Sequence, residues 1–227
     1  MKVLLVKPSN LSDHIQPSLG LGYLATAVRR QHEVRILDCI KERINIGRLG
    51  GIIRGYKPDL LGLQCYTFDL SFIRRALKIA KEIDKNIITI VGGPHPSAMP
   101  VEMIRDLNET LDFLFVGESE IGFPKLLDSL SRNEDDLNSI PGLTWRKAGE
   151  IISNARAFAE DLNTLGMPAW DLIHPEEYPE SQHGAFFKKF PIAPIMVTRG
   201  CPYPCTFCAG GVVAGKRIRQ RSVEGVL

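Results

Sequence analysis

The first part of the chain, up to about Leu130, alternates between short apolar runs and single helices, and this alternation constrains the fold most. The apolar runs have the length of strands and end at turn residues; they cover residues 2–7, 34–37, 60–64, 87–91 and 113–116. Helical periodicity fills the intervals, over residues 19–30, 43–55, 73–83, 101–107 and 121–130. Strands that are apolar on both faces and are joined through helices predict a parallel sheet covered on both sides. We therefore expect an α/β fold with a doubly wound, five-stranded parallel sheet.

The pattern changes after the last of these helices. Two short strand-like runs, residues 142–145 and 150–152, flank a turn and predict a small hairpin. Residues 165–194 contain five prolines without sustained periodicity, which indicates an irregular connector. A further strand is predicted at residues 195–198, directly before a cluster of cysteines. The chain thus divides into a sheet domain (1–135), a hairpin and connector (136–190) and a C-terminal segment (191–227).

The overall charge limits the kinds of partner that we expect. The 28 basic and 26 acidic side chains give a net charge of +2, so neither a nucleic-acid track nor a polybasic membrane patch is indicated. No apolar run approaches the roughly 20 residues of a membrane span, and the chain opens without a signal-peptide pattern. The expected partner is a small molecule and the expected location is the cytoplasm. Clustering of three of the five cysteines favours reduced thiols over disulfides.

The C-terminal cysteines occur in the sequence CPYPCTFC, as Cys201, Cys205 and Cys208. Three thiolates on one loop can hold three irons of a [4Fe-4S] cluster and leave the fourth iron open, whereas electron-transfer clusters are normally closed by four cysteines. A structural zinc site is the alternative. It would need a fourth ligand from far away in the sequence, such as Cys39, Cys65 or a histidine.

This CxxxCxxC spacing, with Phe207 before the last cysteine, resembles the signature of the radical S-adenosylmethionine enzymes. The resemblance implies that Cys201, Cys205 and Cys208 bind a [4Fe-4S] cluster and that its open iron chelates S-adenosylmethionine. One electron, from a donor such as flavodoxin or ferredoxin, then cleaves the cofactor to give a 5′-deoxyadenosyl radical. It also implies that Phe207 packs by the cluster with its backbone near the adenine. Residues 191–227 would supply the first strand and the cluster loop of a radical (β/α) barrel.

The loops at the carboxyl ends of the predicted strands are the expected ligand site of a doubly wound sheet. Gly92 and Gly93 follow the fourth strand and would let a ligand approach the backbone, although a tight strand-to-helix turn explains them equally well. The first strand is not followed by GxGxxG, so ordinary NAD binding is not indicated.

Together with the cysteine motif, this layout resembles the flavodoxin-like cobalamin-binding domain of the cobalamin-dependent radical S-adenosylmethionine enzymes, which include many methyltransferases. The GG pair and the GESE run at residues 117–120 carry the resemblance. It implies that the nucleotide tail of cobalamin lies beside the sheet. By position, the residues near the tail would be Thr67, Gly92, Gly93 and Gly117, and those near the corrin ring Ser9, Asn10 and Tyr66.

One departure from the cobalamin pattern concerns the lower ligand of cobalt. Many cobalamin proteins carry DxHxxG after the first strand, whereas this chain has SDHIQPSLG, in which Asp13 and His14 are adjacent. We therefore expect cobalt without a histidine below it, and His14 as a loop histidine. His95 could reach a ligand or could be satisfied within its loop.

The chain ends soon after Cys208, so most of a radical barrel is absent and a truncated chain is expected. The basic stretch at residues 215–222 should be poorly ordered without its barrel partners. The implied function is radical methyl transfer to a small organic substrate with cobalamin as carrier, or alternatively a tetrapyrrole cyclase reaction. A cobalamin-binding module without catalysis of its own, or a sheet that only serves as a scaffold, are the other hypotheses.

Overall fold

The computed structural model describes residues 1–10, 16–134, 136–180 and 188–227. Within them, the main sheet has seven strands in the order β2-β1-β3-β4-β5-β6-β7. The strands are β1 (Lys2–Lys7), β2 (Glu33–Asp38), β3 (Leu60–Gln64), β4 (Ile88–Gly92), β5 (Phe113–Phe115), β6 (Leu143–Lys147) and β7 (Glu150–Ser153). The first five are parallel and follow the doubly wound 2-1-3-4-5 order. The predicted doubly wound α/β fold is confirmed. The hairpin of β6 and β7 joins the same sheet through antiparallel pairing with β5 and raises the strand count from five to seven.

Helices connect the strands and cover both faces of the sheet. They are α1 (Leu19–Val28), α2 (Ile46–Tyr56), α3 (Leu70–Ile83), α4 (Pro94–Ala98), α5 (Pro100–Asp106), α6 (Gly122–Arg132) and, outside the parallel part, α7 (Trp170–Ile173) and α8 (Gly210–Ala214). In α3 the buried positions Ile73, Ala76, Leu77 and Ala80 recur at helical spacing, which turns one stripe towards the sheet. The start of α2 is determined by a neighbouring residue. The side chain of Asn45 caps the helix by accepting a hydrogen bond from the Arg48 backbone N–H.

Two apolar cores lie on opposite faces of the sheet because successive side chains of a strand alternate. In β1, Leu4 and Val6 pack with α2, α3 and α5, whereas Val3 and Leu5 pack with α1 and α6. All four side chains are at most 2% exposed. A parallel strand buried on both faces is the physical reason for the continuous apolar run in its sequence.

The predicted connector is irregular, but it packs on the sheet domain. Ala169 and Ile173 are buried in the α1–α6 core. An added Cβ at Gly22 of α1 would lie 2.5 Å from Ile173 Cδ1 and 2.9 Å from Pro168 Cβ, so a glycine is needed for this close approach. The connector therefore forms part of the wall over α1.

The C-terminal segment contains a two-stranded antiparallel sheet of β8 (Thr198–Arg199) and β9 (Arg219–Gln220). The strand predicted at residues 195–198 is wrong in extent, because pairing begins only at Thr198. The prediction of poor order at residues 215–222 is also wrong. That stretch forms β9 and buries Arg219 and Arg221 to 5% and 6% exposure, since both guanidinium groups have partners in the preceding part of the chain. No helix within the described ranges is both long and apolar enough to cross a membrane.

Candidate cofactor site at the carboxyl edge of the sheet

The loops that follow β1 and β3 are tied together by Asp69. Its carboxylate accepts hydrogen bonds from Asn10 Nδ2 at 3.1 Å and from the Tyr66 backbone N–H at 2.9 Å. Burial raises the pKa of Asp69 even though both hydrogen bonds favour the ionised form. Two residues predicted to lie near a corrin ring, Asn10 and Tyr66, are thus brought to one buried carboxylate, and Ser9 lies beside Asn10, half-buried.

Asp69 was not among the residues predicted from the sequence. The available signal was an acidic residue between a buried strand and a periodic helix, which is the ordinary position of a helix-capping side chain. The same loop exposes two aromatic rings, Tyr66 and Phe68, which stack with parallel planes and centroids 5.5 Å apart. They are 41% and 65% exposed and form a flat apolar surface at the edge of the sheet.

The loops after β3 and β4 meet through backbone and side-chain contacts. The His95 backbone N–H donates to the Cys65 carbonyl at 3.2 Å, and Thr67 Oγ1 lies 3.1 Å from His95 Nδ1. His95 therefore has a partner within its own pair of loops, and that partner is a residue predicted to lie near the nucleotide tail.

The two glycines after β4 are not equivalent. Gly93 has φ +113°, and an added Cβ would lie 2.9 Å from the Cys65 carbonyl oxygen, so a side chain does not fit. At Gly92 an added Cβ would meet only Phe115 Cβ, at an ordinary 3.9 Å. The tight turn and the close backbone approach both depend on Gly93.

Ser97 joins the loops after β4 and β5, and it too was missed in the sequence. Its hydroxyl donates to the Gly93 carbonyl at 2.7 Å and accepts from the Gly117 N–H at 2.9 Å. Gly117 has φ +82°, and an added Cβ would lie 3.1 Å from Arg156 Cδ and 3.2 Å from the Val213 carbonyl oxygen. Gly117 is thus packed against the C-terminal segment.

The cysteine loop begins where β8 ends. The Cys201 N–H donates to the Gly215 carbonyl at 3.0 Å, and Cys208 Sγ accepts from the Gly210 N–H at 3.3 Å. Cys201 is half-buried, whereas Cys205 and Cys208 are exposed, and all are reduced.

Two aromatic side chains of this loop, Tyr203 and Phe207, are 72% and 92% exposed. The three sulfurs lie on one loop, but no group of three or more histidine, cysteine or acidic side chains in the described part of the chain is arranged to hold a metal ion. The donor chemistry nevertheless fits an iron–sulfur cluster, because thiolates are its ordinary ligands.

The remaining two cysteines do not support the zinc alternative. Cys39 and Cys65 are fully buried in the core of the sheet. Burial, together with the nearby carboxylates, raises the pKa of each thiol to about 12. A protonated thiol in an apolar core is a poor metal ligand, so neither residue is available as a fourth zinc ligand.

Comparison with known proteins identifies the sheet domain. The family model described as B12 binding domain matches residues 12–127. The chain belongs to the B12-binding domain family. The cobalamin pattern inferred from the GG pair and the GESE run is therefore confirmed at the level of the family. His14 lies outside the described residues, so its expected role as a loop histidine stays a prediction.

Similarity extends beyond the B12-binding domain. The chain is 32% identical to the uncharacterized methyltransferase PH0819 of Pyrococcus horikoshii, over all of this chain and 49% of that protein. Its fold matches the cobalamin-dependent S-adenosylmethionine radical enzyme OxsB with aqua-cobalamin and S-adenosylmethionine bound (TM-score 0.79, 19% identity, 99% of this chain, 30% of that one). It also matches the radical S-adenosylmethionine methyltransferase TsrM of Kitasatospora setae with cobalamin and a [4Fe-4S] cluster bound (TM-score 0.73, 18% identity, 99% and 44%). The resemblance to the cobalamin-dependent radical S-adenosylmethionine enzymes is confirmed. The chain spans about half the length of PH0819.

Proposed function

We propose that this chain holds cobalamin at the carboxyl edge of its sheet and a [4Fe-4S] cluster with S-adenosylmethionine on its cysteine loop, and serves radical methyl transfer to a small organic substrate. The observation that carries the proposal is that the B12-binding sheet and a CxxxCxxC loop are packed against each other in one chain. Since the chain spans about half the length of PH0819, the activity is that of the whole protein. Its partners would be the substrate and an electron donor such as flavodoxin or ferredoxin.

Different residues of the cysteine loop would have different roles in binding the cluster. Cys201, Cys205 and Cys208 would ligate three irons, and Phe207, whose side chain is 92% exposed, would pack by the cluster with its backbone near the adenine. When bound, the cluster delivers the electron that cleaves S-adenosylmethionine, and cobalamin carries the methyl group. The backbone hydrogen bond from Cys201 to Gly215 closes the base of the loop.

The residues of the sheet edge would bind and orient cobalamin. Thr67, Gly92, Gly93 and Gly117 would lie near the nucleotide tail, where Gly93 allows the loops after β3 and β4 to come together. Ser9, Asn10 and Tyr66 would lie near the corrin ring, and Asp69 fixes the positions of Asn10 and the Tyr66 backbone. Cobalt would be bound without a histidine below it, because the DxHxxG pattern is missing after β1.

Single replacement of the loop cysteines by alanine tests the cluster part of the proposal. After anaerobic reconstitution with iron and sulfide, the unsubstituted chain should bind about four irons, and each variant should lose most of them. Tyr203→Ala is the matched control, because Tyr203 lies in the same loop, is 72% exposed and offers no thiol. Iron content unchanged in all three cysteine variants, or a single zinc ion found by native mass spectrometry, would refute the assignment.

Incubation with hydroxocobalamin tests the other part. The purified chain should retain the corrin absorbance through gel filtration. Protein that stays colourless would favour a sheet that serves only as a scaffold. Formation of 5′-deoxyadenosine by the reconstituted chain would separate an enzyme from a binding module without catalysis.

A further inference from the structure

The sequence resemblance associates the GESE run with cobalamin binding. In the structure, the two acidic side chains of this run form ion pairs with arginines of the same chain. Glu118 and Glu120 follow β5, and their side chains are each 8% exposed. Glu118 accepts two hydrogen bonds from Arg219, at 2.6 and 2.9 Å, and lies 3.3 Å from Arg199 Nη1. Glu120 Oε1 accepts from Arg199 Nη2 at 2.7 Å. We call these four residues the charge clasp.

The clasp resolves a local conflict in the small sheet. Arg199 and Arg219 lie directly opposite each other in the antiparallel pair of β8 and β9. Like charges in such cross-strand pairs are destabilising, and here the two guanidinium groups are 4% and 3% exposed. Glu118 interacts with both. The strand pair is therefore stable in this place only with the loop after β5 beside it.

An aromatic side chain of α1 extends the same contact. The ring of Tyr23 is fully buried, and its centroid lies 5.0 Å from Arg199 Cζ and 5.6 Å from Arg221 Cζ. The Tyr23 hydroxyl accepts from the Met196 backbone N–H at 3.3 Å. Residues on both sides of the cysteine loop are thus held to the sheet domain by contacts that need particular partners.

Only Gly200 lies between Arg199 and Cys201, and the Cys201 N–H closes the loop on the Gly215 carbonyl. We propose that Glu118 is a positioning residue: through Arg199 and Arg219 it holds the base of the cysteine loop against the carboxyl edge of the sheet, and so sets where the three sulfurs stand relative to the cobalamin loops. This inference rests on the proposed function for its purpose. The contact itself is between residues of this chain, so it can be tested without adding cofactors.

Hydrogen exchange of the full chain, measured by mass spectrometry, tests the clasp. Glu118→Gln should raise the exchange of amides in residues 196–221 by at least about tenfold, because it leaves a buried arginine pair short of one carboxylate. The amides of β1, β3 and β4 should be unaffected. Glu160→Gln is the matched control, since Glu160 forms an ion pair with Arg217 of the same segment at 2.7 Å, but both side chains are mostly exposed. This control should exchange like the unsubstituted chain.

Alkylation of the cysteines distinguishes positioning from general stability. In Glu118→Gln the half-buried Cys201 should react at a rate approaching that of exposed Cys205, while Cys39 and Cys65 stay protected. Glu118→Asp keeps the charge and should restore at least part of the protection at residues 196–221. If Glu118→Gln does not fold, Arg219→Lys, which keeps the charge but loses the two-pronged pair, should show the same localised exchange.

Unchanged exchange at residues 196–221 in folded Glu118→Gln, or increased reactivity of Cys39 and Cys65 together with Cys201, would overturn the inference. Both measurements use the chain without iron or cobalamin. A failure of the proposed function would instead appear as absent iron or cobalamin binding in the unsubstituted chain.

Discussion

Gly200 is the most constrained position near the cysteine loop, and its replacement by alanine tests whether the turn before Cys201 determines the local structure. Gly200 has φ +97°, and an added Cβ would lie 2.0 Å from the Arg217 carbonyl oxygen and 2.7 Å from the Arg217 carbonyl carbon. Both are backbone atoms, so a side-chain rotation cannot relieve the contact. The strand pair of β8 and β9 must separate, or the turn must change.

The cost of this change can be worked from two terms. A left-handed backbone conformation costs an ordinary residue about 1–2 kcal/mol. Inserting a methyl group into a close-packed site costs about 1–3 kcal/mol. Together they give about 2–5 kcal/mol, or roughly thirtyfold and more in a local equilibrium. β8 and β9 pair over two residues each, and such a short pairing is too weak to offset this cost. The three atoms nearest to the new methyl group belong to Arg217 and Ile218, which lie outside the main sheet, so we expect local opening and not global unfolding.

Hydrogen exchange and iron binding measure the effect of Gly200→Ala. Amides of β8 and β9 should exchange at least about thirtyfold faster, iron binding after reconstitution should fall, and the protection of β1 and β3 should stay. Gly211→Ala is the control: it lies in α8 of the same segment, and nothing lies within 4 Å of its added Cβ. Equal exchange in the two variants would refute the steric argument, and loss of protection in β1 would refute its locality.

Two further predictions concern the sheet itself. Iodoacetamide at pH 8 should leave Cys39 and Cys65 unmodified in the folded chain. A pKa of about 12 leaves roughly one part in ten thousand of each thiol as the reactive thiolate at this pH. Mass spectrometry of the modified sites measures the extent of alkylation. Since these pKa values are raised from 9.0 in the folded state, their contribution to stability is retained below about pH 9 and is lost progressively as the pH rises towards 12. Gly93→Ala should lower the free energy of unfolding by about 2–4 kcal/mol in urea titrations because of its positive φ and the close Cys65 carbonyl, whereas Gly92→Ala should change it by less than about 1 kcal/mol.

The parallel sheet could be predicted from the sequence because its signals are local. Each buried strand is a continuous apolar run, and each helix places its apolar residues on one stripe, so neither depends on knowing the partner. The position of the hairpin could not be predicted in the same way. The runs at residues 142–145 and 150–152 predict a hairpin, but its pairing with β5 depends on the free edge that β5 leaves after the last crossover. The sequence of the hairpin does not indicate that it pairs with this edge.

The residues of the candidate site also differ in whether their sequence signals are local. The three cysteines have a characteristic spacing, and Gly92 and Gly93 directly follow a strand, so both features could be found by reading along the chain. The contacts of Asp69 and Glu118 could not. Glu118 and Arg219 are separated by 101 positions, and a single basic stretch at residues 215–222 gave the interpretation of a poorly ordered segment. Arg219 is buried against the carboxylate of Glu118, and Arg221 is buried with the Gly166 carbonyl as its partner, so the burial of both depends on distant parts of the chain.

The same long-range pairing determines how the contact between the sheet and the cysteine loop responds to mutation. An ion pair removed from water gains little overall when complete, because desolvation of the charges offsets most of their attraction. Removing one partner leaves the other charge buried, and the loss is then larger than the pair had contributed. With two arginines and two glutamates sharing hydrogen bonds, each single replacement in the clasp should act on the whole of it. The paired replacement of Glu118 and Arg219 by neutral residues should therefore cost less than the sum of the two single changes in a double-mutant cycle.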